Sequence, residues 1–210
     1  MAAPLSNPPR QQGSIAPEFR RVRVRRRETS DVVTLELDTP DVPAFRPGQF
    51  NMLYAFGVGE AAISMSGSPS AFGRTVHTIR AVGPVSRALA ARKRGEWVGV
   101  RGPFGSPWPL DAAAGRDVLV IAGGIGMAPL RPVLYELLRT RDRFGRVGLL
   151  YGARSPQDLL FRRELDQWRR SDQLQVRVTV DTADTEWVGD VGLVTTVLQN
   201  LRFDPGSALA

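Results

Sequence analysis

The 210-residue chain contains no cysteine and only one histidine, His77. Without cysteine it can form no disulfide, no thiolate metal site, no cysteine-ligated iron–sulfur cluster and no cysteine nucleophile. A single histidine disfavours a histidine-rich metal site or a Ser-His-Asp triad, because that one residue would have to serve every role. We expect His77, on a predicted strand, to be a packed residue rather than a catalyst. The sequence therefore predicts no metal site and assigns no catalytic side chain.

Lysine is almost absent as well. Lys93 is the only one, so the net charge of +7 comes almost entirely from arginine. A basic chain can bind nucleic acid, but that function requires clustered positive charges with aromatic platforms between them. Here the arginines are spread along the chain and the four tryptophans are scattered. We interpret the charge as solvated surface and expect no nucleic-acid partner.

The chain also lacks any apolar run close to the roughly 20 residues that a membrane helix needs, so we expect no membrane insertion. The N-terminal segment lacks the basic start and the apolar stretch of a secretory signal, which favours a cytoplasmic location. Its prolines and glycine predict a disordered tail over 1–17. The length allows one or two domains with a sizeable core.

Residues 18–112 form short alternating segments separated by glycine and proline, which is typical of an antiparallel β-barrel. Val22 and Val24 are predicted to share one face of their strand, opposite a row of arginines. A short helix is predicted from Ser86 to Arg94. The predicted strands are RRVRVRR, DVVTLELD (with Val33, Leu35 and Leu37 on one face), GQFNMLYAF, TVHTIRAV and EWVGVRG.

Residues 113–210 change to a strand–turn–helix order, which predicts a parallel sheet with right-handed crossovers. The apolar run 117–122 is typical of a strand that is covered on both faces. The chain ends after a predicted helix, so we expect this α/β domain to be incomplete at its C-terminus. The predicted strands are DVLVIA, RVGLLYG and LQVRVTVD, and the predicted helices are PVLYELLRT, 157–170 and GLVTTVLQN.

The segment GGIGMAP lies between a predicted strand and a predicted helix. Gly124 and Gly126 allow a tight turn whose backbone N–H groups approach a pyrophosphate, and the helix N-terminus adds positive potential. Pro129 suits the first helical turn, although it occupies the third glycine position of the G-x-G-x-x-G pattern. This segment alone therefore leaves two interpretations open, a phosphate site and a glycine-rich turn without a ligand.

A second glycine turn, Gly83-Pro84-Val85-Ser86, opens the short helix of the barrel. Ser86 and the free N–H groups of the turn could hold a phosphate. The alternative is that Ser86 is simply the N-cap of the helix, and from this segment alone we favour the cap. The segments RPGQF and AISMS, taken separately, are ordinary barrel structure.

In this order along the chain, these segments together resemble the ferredoxin–NADP reductase superfamily, in which a flavin-binding barrel precedes a nicotinamide-nucleotide domain. The segments are RPGQF, the serine-bearing AISMS, IRAVG followed by Ser86, RGPFG, GGIGMAP and YGARSPQDLLF. The chain is most similar to the gamma (NAD(P)H-flavin oxidoreductase) subunit of cytoplasmic nickel–iron hydrogenases, through RPGQFNMLYAFGVGE. It also resembles the electron-transfer subunit of dihydroorotate dehydrogenase and the sulfite reductase B subunit.

The resemblance implies two cofactors, FAD and NAD(P)H, with binding residues in each half of the chain. Those expected at the flavin are Ile63, Ser64, Thr78, Ile79, Gly83 and Ser86. Those expected at the nicotinamide nucleotide are Gly124, Gly126, Pro129, Gly152, Ala153, Arg154 and Asp181. Asp181, after the third strand of the sheet, resembles the acidic residue of NAD-preferring members.

The resemblance further implies hydride transfer between the nicotinamide and the flavin, followed by release of single electrons to an iron–sulfur partner in a redox complex. The cofactors supply this chemistry, so no acid or base is expected from the protein. Many members carry an arginine where this chain has Ala61, a loss that Arg80 or Arg46 could offset. The usual Cys-Gly-Pro strand and [2Fe–2S] cysteines are absent, so the cluster is expected in a partner or an absent segment. A non-catalytic docking subunit with the same fold is the alternative.

Overall fold

The computed structural model describes residues 16–40, 44–196 and 208–209, and the chain folds around two sheets. One sheet has six strands and the other has five. The predicted tail 1–17 lies outside the described residues except for Ala16 and Pro17.

The first sheet is antiparallel, in the strand order β4-β3-β6-β1-β2-β5. Its strands are β1 Glu18–Arg27, β2 Val32–Asp38, β3 Phe50–Ala55, β4 Gly59–Ser64, β5 Arg74–Arg80 and β6 Trp97–Phe104. Helix α1, Pro84–Ala90, begins two residues earlier than predicted and buries Leu89 in the core of this sheet. The predicted antiparallel barrel class is confirmed.

Period-two alternation correctly predicts the buried face of β2. Val33, Leu35 and Leu37 all lie in the core, as a strand with one face inward requires. Residues that alternate with them face outward from this core, and the Thr34 hydroxyl hydrogen-bonds to that of Thr78 at 3.0 Å.

The prediction for β1 is wrong at one position. Val22 is buried in the core, but Val24 is 41% exposed. The pairing of β1 with β2 shifts register between these two residues, and a bulge of this kind moves the following side chains to the other face. Arg25 consequently donates to the backbone carbonyl of Ala90 in α1 instead of standing in a continuous arginine row.

The second sheet is parallel, in the order β10-β9-β8-β7-β11, which confirms the predicted α/β class. Two short strands, β10 and β11, flank its three main strands. Its elements are β7 Asp117–Gly123, α2 Met127–Arg139, β8 Val147–Ala153, α3 Arg162–Arg169, β9 Gln175–Val180, β10 Asp190–Val191 and β11 Ala208–Leu209. Strand β11 pairs with Asp117 and Val118 only.

Helix α3 is shorter than the predicted helix over 157–170. Residues Pro156–Asp158 form a single 3-10 turn, and the helix starts after Phe161, whose backbone is left-handed with φ 53°. The predicted inward side chains, Phe161, Leu165 and Trp168, are buried. For the predicted helix GLVTTVLQN, residues 192–196 form a bend and a turn, and 197–200 lie outside the described residues.

Strand β7 is covered less completely than predicted. Val118 and Val120 are buried, but Ile121 on the other face is 41% exposed. Helices α2 and α3 pack side by side on the same face, where the rings of Tyr135 and Trp168 lie 6.1 Å apart. Right-handed crossovers that advance in one direction place successive helices on one face, which explains the difference.

A polar cluster joins α2 and α3 beside the barrel. Arg131 is buried, its Nε lies 2.7 Å from Glu164 Oε2, and it also donates to the Tyr135 hydroxyl at 3.0 Å. A cavity of about 550 Å³ next to this cluster is lined by Arg26 and Glu28 from the barrel. The two sheets therefore meet across charged and aromatic side chains.

Candidate functional site

The carboxyl ends of the parallel strands bring together residues predicted to bind the nucleotide. Strands β7 and β8 align Gly123 with Gly152, and the Asp181 N–H donates to the Ala153 carbonyl at 2.9 Å. In open α/β sheets, ligands bind outside this edge of the sheet. The predicted residues found here are Gly124, Gly126, Gly152, Ala153, Arg154 and Asp181.

The glycine turn after β7 has the shape that a phosphate site requires. Gly124 has φ +50°, a left-handed conformation that glycine adopts without strain. Gly124–Gly126 form a 3-10 turn that runs directly into α2. A Cβ atom built on Gly123 or Gly126 would meet no heavy atom within 4 Å, so this face of the turn is open. Open glycine backbone at the N-terminus of a 13-residue helix fits an anionic phosphate.

Pro129 is the third residue of α2 and lies in its first turn, as predicted. An N–H there has no intrahelical partner, so proline costs the helix no hydrogen bond.

A buried tyrosine holds the turn in place. The Tyr151 hydroxyl donates to the Gly124 carbonyl at 3.2 Å and accepts from the Leu160 N–H at 3.1 Å. Burial raises the pKa of Tyr151 to about 12, so the phenol remains a neutral donor. Sequence reasoning missed this residue, although a polar tip inside the apolar run RVGLLYG was the available signal.

Arg154 and Asp181 are both exposed beside this turn. The Arg154 carbonyl accepts from the N–H and the hydroxyl of Thr182, at 2.9 and 3.1 Å. Gly152 has a packing role of its own, since a Cβ atom there would lie 2.9 Å from the Cβ of Val194. The loops after β8 and β9 therefore support each other and leave the two charged side chains in solvent.

The predicted flavin residues of the barrel lie on β4 and β5. Ser64 ends β4, and Ile63 packs partly against the barrel core. Ile79 lies fully within that core, so only its backbone is available to a ligand. Thr78 faces the other way, and its buried hydroxyl is 2.9 Å from the hydroxyl of Ser66.

The second glycine turn differs from the N-cap that we favoured. Gly83 is the N-cap of α1, and Ser86 is the third residue of the helix. The Ser86 hydroxyl accepts from the N–H groups of Gly83 and Val82, at 2.9 and 3.1 Å. Ser86 therefore stabilises the helix start from inside the first turn, and its role toward a phosphate stays a prediction.

Arg80 connects the two halves of the site. It ends β5, and its Nη2 atom is 3.9 Å from the position that a Cβ on Gly124 would take. Its Nε atom lies 3.3 Å from Asp31 Oδ2. Arg46, the other candidate for replacing the missing arginine at Ala61, instead lies 3.7 Å from a carboxylate oxygen of Asp111. Of the two arginines, Arg80 is the one found at the glycine turn.

Neither a metal cluster nor a membrane-spanning helix is found in the described part of the chain. In 16–40, 44–196 and 208–209, no group of three or more histidine, aspartate or glutamate side chains is arranged to hold a metal ion. None of the helices in the described part of the chain is long and apolar enough to cross a membrane.

Known proteins share both the sequence and the fold. Residues 120–207 match the family described as an oxidoreductase NAD-binding domain. The chain is 35% identical over 168 residues to the gamma subunit of sulfhydrogenase 1 of Pyrococcus furiosus, covering 77% of this chain and 57% of that protein. It is 36% identical over 158 residues to a probable dihydroorotate dehydrogenase B (NAD(+)), electron transfer subunit, of Archaeoglobus fulgidus, covering 75% and 56%. The chain therefore spans a little over half the length of these two relatives.

Solved structures of known proteins have the same fold as this chain. The ferredoxin reductase in carbazole 1,9a-dioxygenase superposes with a TM-score of 0.74 at 30% identity, over 87% of this chain and 56% of that one. A ferredoxin NADP+ reductase from Neisseria gonorrhoeae shares the fold, with a TM-score of 0.77 at 21% identity over 91% and 82%. With its antiparallel barrel, its parallel sheet and the glycine turn between β7 and α2, this chain therefore has the fold of these reductases, and residues 120–207 match the oxidoreductase NAD-binding domain.

Proposed function

We propose that this chain is a flavin-containing NAD(P)H electron-transfer subunit. Residues 18–112 would hold FAD and residues 113–210 would hold NAD(P)H. The observation that carries the proposal is the approach of Arg80, at the end of a barrel strand, to Gly124 in the glycine turn. Two cofactor sites that meet at this junction would share one cleft, as direct transfer between two bound cofactors requires.

The chemistry would come from the cofactors, because a nicotinamide and a flavin bound together would supply hydride transfer. The residues proposed for the flavin are Ile63, Ser64, Thr78, Ile79, Gly83 and Ser86, and those for the nucleotide are Gly124, Gly126, Pro129, Gly152, Arg154 and Asp181. The open turn and the helix N-terminus fit a pyrophosphate. The chain itself would bind and orient the two cofactors and would exclude water from the cleft between them.

The proposed acceptor is an iron–sulfur protein in a larger redox complex. The chain has no cysteine, so it cannot ligate a cluster by thiolates. Sulfhydrogenase 1 of P. furiosus and dihydroorotate dehydrogenase B are the complexes whose subunits this chain resembles. We infer from the stretch RPGQFNMLYAFGVGE that a hydrogenase is the complex. Percentage identity does not separate the two complexes, because the sulfhydrogenase gamma subunits match at 35% and 38% and the dihydroorotate dehydrogenase subunit matches at 36%. The non-catalytic docking subunit remains the second candidate.

Anaerobic titration tests the proposal. The purified protein is reconstituted with FAD or FMN, freed of unbound flavin and titrated with NADH and then NADPH, with flavin absorbance as the readout. Bound flavin that is bleached supports the proposed function. Bound flavin that neither nucleotide reduces favours the docking subunit, and a protein that takes up no flavin refutes the proposed electron-transfer function.

A matched pair of variants locates the nucleotide site. Gly126→Val fills open space at a backbone φ of −60° that any residue adopts, so it should block the turn without unfolding the chain. Ala112→Val adds a larger side chain at an exposed position away from the turn. We expect Gly126→Val to retain flavin and lose at least tenfold in NADH affinity, and Ala112→Val to match the unmodified protein.

A further inference from the structure

The single histidine of the chain lies fully buried on β5, next to the end of β4. His77 Nδ1 is 3.1 Å from the Ser64 carbonyl oxygen, and Nε2 is 3.3 Å from the Asn51 side-chain nitrogen. A carbonyl oxygen only accepts, so Nδ1 carries the proton and Nε2 accepts from the Asn51 amide. The ring is therefore neutral, and both of its nitrogens are satisfied.

The backbone changes partner at this point. Strand β4 pairs with β3 as far as Ser64, and the next residue, Met65, bridges to His77 on β5. The Ser66 N–H then donates to the Val76 carbonyl at 2.8 Å. The imidazole thus hydrogen-bonds the Ser64 carbonyl where the chain passes from one strand to another.

Asn51 fixes the far side of the ring. It is fully buried, and its side-chain nitrogen also lies 3.7 Å from the Met65 sulfur. Its Oδ1 atom is buried without a partner, and a Cβ on Gly102 would collide with it. Gly102 has φ +138°, so glycine there meets both the backbone and the space requirement. The amide is held in one place, and the imidazole is held with it.

A simple packing role does not explain this arrangement. An apolar side chain would fill the same space but would remove the hydrogen bonds to the Ser64 carbonyl and the Asn51 amide, and a buried polar group that loses its partner is destabilising. One of the two polar contacts of the ring is made to a backbone atom, the carbonyl of Ser64, a residue proposed to meet the flavin.

We propose that His77 is a positioning residue for the flavin strand, in which the neutral imidazole, oriented by Asn51, holds the Ser64 carbonyl and thereby the backbone that carries the Ser64 hydroxyl. The inference rests on the proposed flavin site. His77 would act through Ser64 and would not itself contact a cofactor.

Three substitutions at one position separate positioning from packing. In His77→Asn, the amide nitrogen takes the place of Nδ1 and keeps the donor to Ser64. In His77→Gln, the amide lies near the position of Nε2, toward Asn51, and the donor to the Ser64 carbonyl is lost. His77→Leu removes both contacts. The readouts are the FAD dissociation constant, the visible spectrum of the bound flavin and the melting temperature.

We expect His77→Leu and His77→Gln to weaken FAD binding at least tenfold and to shift the flavin spectrum, whereas His77→Asn stays within about threefold of the unmodified protein. Met65→Leu, a packing change in the same cluster, should lower the melting temperature and leave both flavin readouts unchanged. If His77→Leu does not fold, the comparison of FAD binding and flavin spectrum between His77→Asn and His77→Gln still tests the inference.

Equal FAD affinities and spectra for the Asn and Gln variants would overturn the inference. The inference would also be overturned if the FAD affinity and the flavin spectrum of every variant, Met65→Leu included, changed in proportion to its melting temperature. An unmodified protein that binds no flavin is a different result, because it refutes the proposed function itself.

Discussion

A buried neutral histidine makes the stability of this protein depend on pH in a window that can be calculated. Burial lowers the pKa of His77 from 6.5 to about 4, and the carbonyls of Ser64 and Ile63 only partly oppose this. Asn51, its other hydrogen-bond partner, is also neutral. Between pH 6.5 and 4 the unfolded chain binds a proton at this site that the folded chain excludes. Stability is therefore lost as the pH falls through this range.

The loss is about 1.4 kcal/mol per pH unit, or about 2 kcal/mol at pH 5 relative to pH 7 and about 3 kcal/mol once the pH reaches 4. His77 is the only histidine in the chain, so no second imidazole titrates in this window. The free energy of unfolding, measured in urea at pH 7.5, 6.5, 5.5 and 5 for the unmodified protein and for His77→Asn, isolates this contribution from that of the carboxylates. The difference between the two proteins should change by about 2 kcal/mol between pH 7.5 and 5. A difference that is constant across the four pH values would show that the folded ring accepts its proton normally.

Four further substitutions test other parts of the structure. Tyr151→Phe leaves the Gly124 carbonyl and the Leu160 N–H without their partner, so it should lower the free energy of unfolding by about 1–2 kcal/mol and raise the KM for NADH several-fold, seen in steady-state assays. Arg131→Met leaves Glu164 without its cationic partner, with only the Tyr135 hydroxyl still donating to it, and should cost about 2–3 kcal/mol in urea unfolding; a loss below 0.5 kcal/mol would contradict the structure. Gly102→Ala adds a collision to an unfavourable φ, so its melting temperature should fall well below that of Gly95→Ala, where φ is +88° but the space is open. Asp181→Ser should move the ratio of kcat/KM values toward NADPH, because an exposed carboxylate repels a 2′-phosphate; an unchanged ratio would remove Asp181 from the site.

Local patterns predicted most of the elements and the class of the fold, although β4, β10 and β11 were not among the predicted strands. Alternation in β2 placed Val33, Leu35 and Leu37 on the buried face, because the side-chain period of a strand is two wherever pairing is regular. The strand–turn–helix order predicted the parallel sheet. The glycines of GGIGMAP predicted the open turn, since only glycine adopts φ +50° without strain.

The alternation rule failed where pairing between strands intervenes. Val24 is exposed because of a register shift against β2, and that shift depends on the partner strand as much as on β1. Ile121 is exposed because α2 and α3 lie on the same face of the sheet, which follows from the order of the strands in space.

The residues that a cofactor would meet, and those that hold them in place, come from distant parts of the chain. The sequence by itself determined that a glycine turn and a barrel strand containing Arg80 would exist, because these depend on backbone preferences and on local periodicity. Only the tertiary structure decided that Arg80 lies beside Gly124 and that the His77 ring is shared between Asn51 and Ser64. Contacts of this kind join residues whose spacing in sequence carries no periodic signal, so they arise from packing alone.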